Sequence, residues 1–216
     1  MKGYTKPFLA VFIVLLVDQV LKIWIKLNMS LGQEFKILGK YGIIHFTENN
    51  GMAFGMEFGG EAGKLALTLF RIVAVLGIGY GVIYLVKKKY HRGLILNVAL
   101  IFAGALGNII DSTFYGKLFS ESTFFSAAKF LPAEGGYANL FYGRVVDMFY
   151  FPLFQGFFPK WFPIWGGEDF IFFRPVFNVA DAAISIGVIC ILLYQKRYFK
   201  EEKVEELHPH SEIIEE

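Results

Sequence analysis

Four long apolar stretches set the pattern of hydrophobic and polar positions along the chain. They cover approximately residues 7–27, 65–86, 93–111 and 176–194. A helix needs about 20 mainly apolar residues to cross the hydrocarbon core of a bilayer. Because lipid offers the backbone no hydrogen-bond partner, stretches of this length and character predict four membrane-spanning helices.

The two long segments between these stretches have a different pattern. Residues 28–64 mix short apolar runs with several glycines, and Gly42–Thr47 has the composition of a strand. Residues 112–175 are rich in aromatic side chains and contain several prolines, which exclude a continuous helix. We therefore predict a mainly α membrane protein, with a four-transmembrane-helix bundle, a small outward-facing β-cradle and an extended insertion at about residues 117–142. Residues 1–200 would form this single domain.

Basic residues predict the orientation of the spans. Lys2 and Lys6 precede the first span, residues 87–92 join the second to the third, and Lys196 and Arg197 follow the fourth. Cytoplasmic loops carry an excess of lysine and arginine. With four spans all three basic clusters fall on one side, so both termini are predicted to be cytoplasmic and the two long segments to face outward.

The two ends of the chain need separate interpretation. The first apolar stretch imitates a signal peptide, but no cleavage site with small residues follows it. We expect it to be retained as a span. Residues 201–216 are polar and acidic, which predicts a disordered cytoplasmic tail.

The composition supports a membrane protein and argues against several other classes. Of the 216 residues, 55% are hydrophobic and 19% charged, whereas soluble domains carry about 25% charged residues. A single cysteine provides no disulfide framework, and the four histidines are scattered, so we expect no metal site. The net charge of +2 lies in short clusters beside apolar runs, which indicates topology rather than a nucleic-acid partner.

Polar side chains inside the predicted spans are expensive, at roughly 3 kcal/mol for an ionisable group, so each requires a reason. They occur in pairs at helical spacing: Asp18 with Lys22, Asn108 with Asp111, and Asn178 with Asp181. Asp147 lies in the outward segment. The last two pairs and Asp147 share one depth near the outer surface. This convergence predicts a polar site there.

Two carboxylates at such a site can perform hydrolysis. When two carboxyl groups lie close together they share a proton, so that one activates water and the other donates a hydrogen bond to a carbonyl. Asp147 and Asp181 are the candidates for an aspartyl protease pair. The same residue types also line proton paths, so the residues alone leave a small proton-coupled transporter open, as well as a non-catalytic scaffold. The pair Asp18 and Lys22 is also consistent with a purely structural ion pair.

Five short motifs occur in order along the chain: Asp18–Lys22, Asn49–Phe54, Gly104–Asp111, Gly143–Met148 and Phe177–Asp181. Together they resemble the motifs of bacterial lipoprotein signal peptidase, also called signal peptidase II. Each motif alone is weak evidence, but their order and their placement on the predicted topology make the resemblance specific.

The resemblance implies a reaction, a location and a set of site residues. Members of this family cleave diacylglyceryl-modified prolipoproteins immediately before the lipidated cysteine, in the bacterial cytoplasmic (inner) membrane and near its periplasmic face. They use no cofactor and are inhibited by globomycin, and a monomer is the simplest expectation. The resemblance assigns catalysis to Asp147 and Asp181. It assigns support of the site or substrate to Asp18, Lys22, Asn49, Gly51, Asn108, Asp111 and Asn178.

The chain departs from the family pattern in two places. Ser112 stands where the family has an arginine, and the insertion at about residues 117–142 lengthens a connection that is usually short. Arg71, in the outer half of the second span, could supply the missing guanidinium to Asp111 or to the substrate. The alternative is that Arg71 extends toward the lipid headgroups.

Overall fold

The computed structural model describes residues 4–50, 60–172 and 174–199. Within these residues four helices are long and apolar enough to cross a membrane, which confirms the predicted spans. They are α1 (Thr5–Asn28), α2 (Gly60–Lys87), α3 (Arg92–Ile110) and α5 (Val179–Tyr198).

The third span extends further than predicted. Beyond α3 the chain continues through a π-helical turn, Asp111–Tyr115, and a short helix α4, Gly116–Leu118. The polar side chains of Asp111, Ser112 and Thr113 suggested the end of the helix at this point. In the structure they are buried inside the protein, so the chain remains helical there instead of turning into water.

A four-stranded antiparallel sheet lies against the end of the bundle. Its strands are β1 (Glu34–Lys36), β2 (Ile43–Asn49), β3 (Val145–Tyr150) and β6 (Val176–Phe177), in that spatial order. The sequence placed strand content only in residues 28–64, whereas β3 and β6 come from the connection between the third and fourth spans. The remaining two strands, β4 (Phe154–Phe157) and β5 (Asp169–Phe172), form a separate hairpin.

A hydrophobic core joins the sheet to the bundle. It is built from the end of α1, from β2 and β3, and from the insertion, through residues that include Ile25, Phe46, Phe119 and Met148. Phe119 is fully buried, and its ring packs at a tilt against Tyr115, with 4.8 Å between ring centroids. The insertion therefore packs into the protein and contributes to its core.

Helix α3 lies at the centre of the bundle, and glycines allow its neighbours to approach closely. A Cβ atom on Gly104 would lie 2.2 Å from the carbonyl oxygen of Ala180 on α5. One on Gly107 would lie 2.8 Å from Oδ2 of Asp18 on α1. Small residues drive close helix contacts in lipid, where no hydrophobic effect brings helices together.

We predict that Gly104→Ala destabilises the protein by about 1–3 kcal/mol, because the added methyl group must push α5 away from α3. Gly77→Ala is the matched control, since Gly77 is exposed on α2 with nothing within 4 Å of an added Cβ. Thermal unfolding in detergent measures both variants. Equal melting temperatures for the two variants would contradict the close α3–α5 contact.

Candidate active site

The sheet and helix α5 bring the two candidate aspartates together. Asp147 lies in β3, opposite Thr47 of β2, and only 4% of it is exposed. Asp181 lies in the first turn of α5, directly after the short strand β6. Because β6 pairs with β3, through Phe149 and Phe177, the start of α5 is held beside Asp147.

Asn178 connects the two carboxylates. It caps α5: its side-chain oxygen accepts from the backbone N–H of Asp181 at 2.9 Å, and its own N–H donates to Oδ2 of Asp181 at 3.3 Å. Its side-chain amide also donates to Oδ1 of Asp147 at 2.7 Å. A single buried amide therefore fixes the position of Asp181 relative to Asp147.

Two further asparagines orient the carboxylates from the other sides. Asn108 of α3 donates to Oδ1 of Asp181 at 2.8 Å, and Asn49 of β2 donates to Oδ2 of Asp147 at 3.4 Å. An amide can donate and accept at the same time. Asn108 uses its oxygen to accept from Asn178 at 3.1 Å, which closes a continuous amide network around the pair.

A fully buried ion cluster adjoins this network through Asn108. The ammonium of Lys22 lies 2.9 Å from Asp18, 2.8 Å from Asp111 and 2.8 Å from the side-chain oxygen of Asn108. The predicted pairing of Asp18 with Lys22 is therefore present, and Asp111 completes it. Gln19, which the sequence interpretation overlooked, also donates to Asp111, at 2.9 Å. Its position beside Asp18 in the first motif was the available signal.

The carboxylates of this cluster also hold backbone groups near the aspartates. Asp18 accepts from the backbone N–H of Ala180 at 2.9 Å, next to Asp181. Asp111 accepts from the backbone N–H of Val146 at 3.3 Å, next to Asp147. The cluster thus ties α1 and α3 to both elements that carry the candidate pair.

The structure changes the expectation for Arg71. Asp111 is already paired with Lys22, and no contact between Arg71 and Asp111 is seen among the described residues. Arg71 is partly buried on α2, and its charge interacts with that of Asp181. Ser112, at the position of the family's arginine, is buried, and its hydroxyl donates to the backbone oxygen of Asn108 at 3.0 Å. Gly51 falls outside the described residues.

A second buried ion cluster, not anticipated from the sequence, attaches the insertion to β2. Lys26 is fully buried and contacts both Glu48 and the hydroxyl of Ser122. Arg144 contacts Glu48 at 3.3 Å and Glu121 at 3.1 Å. A lysine in the predicted outer end of the first span was the only signal available for this cluster.

The ring of Tyr137 completes this second cluster. It lies between two cations, 4.9 Å from the ammonium of Lys26 and 5.2 Å from the guanidinium carbon of Arg144. Its hydroxyl accepts from the backbone N–H of Arg144 at 2.7 Å. Glu48 precedes Asn49, and Arg144 lies three residues before Asp147. The insertion is therefore fastened to the two strands that approach the candidate pair.

The environment of Asp147 favours its protonated form. Burial, and then the nearby charge of Asp181, raise the pKa of Asp147 to about 7. Hydrogen bonds from Asn178 and Asn49 and the charge of Lys22 act in the opposite direction without cancelling these effects. Asp147 therefore keeps its proton to a higher pH than an ordinary carboxyl group, as a group that donates a hydrogen bond to a substrate carbonyl must do.

Comparisons with known proteins identify the family to which the chain is similar. Residues 10–197 match the sequence profile of a peptidase family described as Signal peptidase (SPase) II. The chain is 52% identical to a lipoprotein signal peptidase of Porphyromonas gingivalis over 87% of this chain and 81% of that protein. It is 39% identical to a lipoprotein signal peptidase of Amoebophilus asiaticus, over 89% of this chain and 76% of that one.

A solved structure shows the same architecture. It is a bacterial membrane enzyme determined by the in meso method at 2.3 Å resolution, and it is 25% identical in sequence. The two structures superpose with a TM-score of 0.56 over 91% of this chain and 92% of the other. The arrangement of the bundle and sheet is thus shared with an enzyme of the bacterial membrane.

We predict that Asp147→Asn removes a pH-dependent loss of stability. Between about pH 4 and 7 the native state holds a proton on Asp147 that the unfolded state has released, so stability falls as pH rises through this window. A rise of the pKa from 3.8 to about 7 corresponds to a loss of about 4 kcal/mol in the free energy of unfolding once the pH exceeds the higher value. The variant should therefore gain stability relative to the wild type at pH 8 and not at pH 4.

Thermal unfolding at both pH values measures this effect. Asp169→Asn is the control, because Asp169 is exposed on β5 and the chemical change is the same. If Asp147→Asn and the wild type keep the same difference in melting temperature at pH 4 and pH 8, the protonation of Asp147 is misassigned.

Proposed function

Because the chain belongs to the signal peptidase II family, we propose that Asp147 and Asp181 are its catalytic pair. The family acts on lipoprotein precursors as aspartic proteases. In this chain the observation that carries the assignment is the bridge made by Asn178, which contacts both carboxyl groups within 3.3 Å. The proton-coupled transporter that the polar residues alone left open finds no support in these comparisons.

The proposed mechanism assigns a different role to each carboxyl group. Asp181 lies in the first turn of α5, where the helix dipole and the N–H of Asn178 stabilise a negative charge. It is proposed to take a proton from the attacking water. Asp147, whose pKa is raised, holds the shared proton and donates a hydrogen bond to the carbonyl of the scissile peptide. As the tetrahedral intermediate collapses, the amine of the lipidated cysteine leaves with a proton from the pair.

The proposed substrate is a diacylglyceryl-modified prolipoprotein, cut before the modified cysteine. Asn108 and Asn49 orient the carboxyl groups, and Lys22 with its two partners holds Asn108 in place. The proposed roles of Asp18, Asp111 and Asn178 are likewise to position the pair. Gly51, by its motif, is proposed to contact the substrate. We extend the proposal to inhibition by globomycin-type peptides and to a monomeric enzyme.

The proposed topology has both termini in the cytoplasm and the aspartates near the periplasmic face. Its support is the excess of lysine and arginine at the ends of α1, α2, α3 and α5 that lie away from the sheet. A reporter enzyme fused after Glu216 tests this topology. Reporter activity in the periplasm would contradict a cytoplasmic C-terminus.

We expect Asp147→Asn and Asp181→Asn each to lower the rate of signal-peptide cleavage by at least 10²–10⁴-fold, roughly the contribution of a general acid or base. The assay follows a diacylglyceryl-modified prolipoprotein cleaved by the purified full-length enzyme in detergent, with globomycin as inhibitor control. Asp169→Asn should retain the wild-type rate. Substantial cleavage by either Asp147→Asn or Asp181→Asn would contradict the assignment of the catalytic pair.

We further propose that Arg71 supports Asp181, taking the part of the arginine that Ser112 replaces. Arg71→Ala should lower kcat roughly tenfold with little change in KM, because a partly buried charge beside the pair is lost. Arg71→Lys should restore part of the rate, and Arg174→Ala, which removes an exposed arginine near β6, should change nothing. Unchanged cleavage by Arg71→Ala at wild-type protein level would refute the replacement.

A further inference from the structure

A cavity lies at the opposite end of the bundle from the aspartates. Its volume is about 640 Å³, and its lining comes from the start of α1, the end of α2, the turn that follows and the start of α3. About 16 residues of α3 separate Arg92 at this end from Asn108 at the other, roughly 24 Å of helix. The cavity is therefore separate from the site described above.

The mouth of this cavity is cationic. Lys6, Lys89 and Arg92 line it, each from a different element, and all three are exposed. None of them forms an ion pair with a carboxylate in the part of the chain that the structure describes, and no described carboxylate lines the cavity. Three unneutralised positive charges thus converge on one opening.

The walls of the cavity are apolar. Pro7, Val86 and Ile95 are buried there, and Leu96 and Tyr90 stand at its edge, 40% and 39% exposed. Helices α1 and α2 pack mainly on α3 rather than on each other, which leaves a groove between them with α3 as its floor. A groove of this kind, polar at the mouth and apolar within, matches a molecule with an anionic head and a hydrocarbon body.

We propose that this cavity binds an anionic phospholipid, with its phosphodiester between Lys6, Lys89 and Arg92 and its upper acyl chain against Val86, Ile95 and Leu96. Basic pockets between membrane helices on the cytoplasmic side recognise anionic headgroups, and the proposed topology places this end there. The volume lies within the range of about 300–1,000 Å³ that is common for ligand pockets. The site is independent of the proposed catalytic pair.

A competing occupant is present in the chain itself. Residues 201–216 contain seven glutamates, and they follow the end of α5. That end lies beside the cavity, because the ring of Tyr198 packs at a tilt against His91, 4.9 Å between centroids, and its hydroxyl accepts a hydrogen bond from Asn97 at 3.0 Å. The apolar walls favour the lipid, since an acyl chain is apolar along its whole length, whereas the few apolar residues of the tail are interspersed with glutamates that are costly to bury.

The test compares lipid binding by the full-length protein in detergent, using native mass spectrometry. Phosphatidylglycerol should bind in preference to phosphatidylcholine, with one tightly held molecule per chain. Lys89→Gln/Arg92→Gln should weaken phosphatidylglycerol binding at least roughly tenfold, since each surface cation adds appreciable attraction for anionic lipid. Lys87→Gln/Lys88→Gln is the matched control, because it removes two exposed charges from the same end of α2 outside the cavity.

The control and three other arms can overturn the proposal. An equal loss of phosphatidylglycerol binding in both double variants would show that the lipid is attracted by the surface charge as a whole and not by a specific site. Equal binding of phosphatidylglycerol and phosphatidylcholine by the wild type would remove the role of the cations. If sn-glycerol 3-phosphate binds as tightly as the lipid, the apolar walls contribute nothing to binding and the proposed acyl-chain contact is wrong. If phosphatidylglycerol binds only after Glu201, Glu202, Glu205 and Glu206 are changed to glutamine, the tail is the occupant.

Discussion

The ammonium of Lys22 is the interaction on which the site depends. It is fully buried inside the bundle, where an unpaired charge would cost several kcal/mol, about 3 kcal/mol even on insertion scales. Its contacts with Asp18, Asp111 and Asn108 offset that cost. Each of these partners makes a further hydrogen bond. Asp18 accepts from Ala180 on α5, Asp111 accepts from Val146 on β3, and Asn108 donates to Asp181. Removing Lys22 would leave two buried carboxylates without their counter-ion.

The side of the site nearest the insertion is held in a different way. There the insertion packs Phe119 into the core and places Ser122 beside Lys26 and Glu48. Glu48 lies next to Asn49 in β2, so a cluster with no direct contact to the aspartates constrains the strand that reaches Asp147. One buried ion cluster therefore contacts β3 through Val146, and the other contacts β2 through Glu48. This arrangement gives the long insertion a structural role in the neighbourhood of the site.

The two ends of the bundle face different chemical environments. One end carries the carboxyl groups, the amides and the sheet. The other carries Lys6, Lys89 and Arg92, which form no ion pair within the described part of the chain, above an apolar cavity. Helix α3 connects the two ends, and it lies in close contact with α5 at Gly104 and with α1 at Gly107. The bundle thus carries a different kind of surface at each end.

The sequence by itself determined the spans and the residue types at the site. Hydrophobic length and the cost of exposing backbone to lipid allow few alternatives to four helices, and polar residues at helical spacing identified Asp18 with Lys22, and Asn178 with Asp181. These features are local, so a single sequence reveals them. The motif resemblance supplied Asn49 and placed Asp147 with Asp181.

Only the tertiary structure decided which of these residues meet. It placed Asp147 on a strand paired with β2 and β6. It paired Asp111 with Lys22, whereas the charge of Arg71 interacts with that of Asp181. It also brought Ser122 of the insertion into contact with Lys26 and Glu48. These pairs lie far apart in the chain. Their proximity depends on how helices and strands pack, and neither periodicity nor composition encodes that packing.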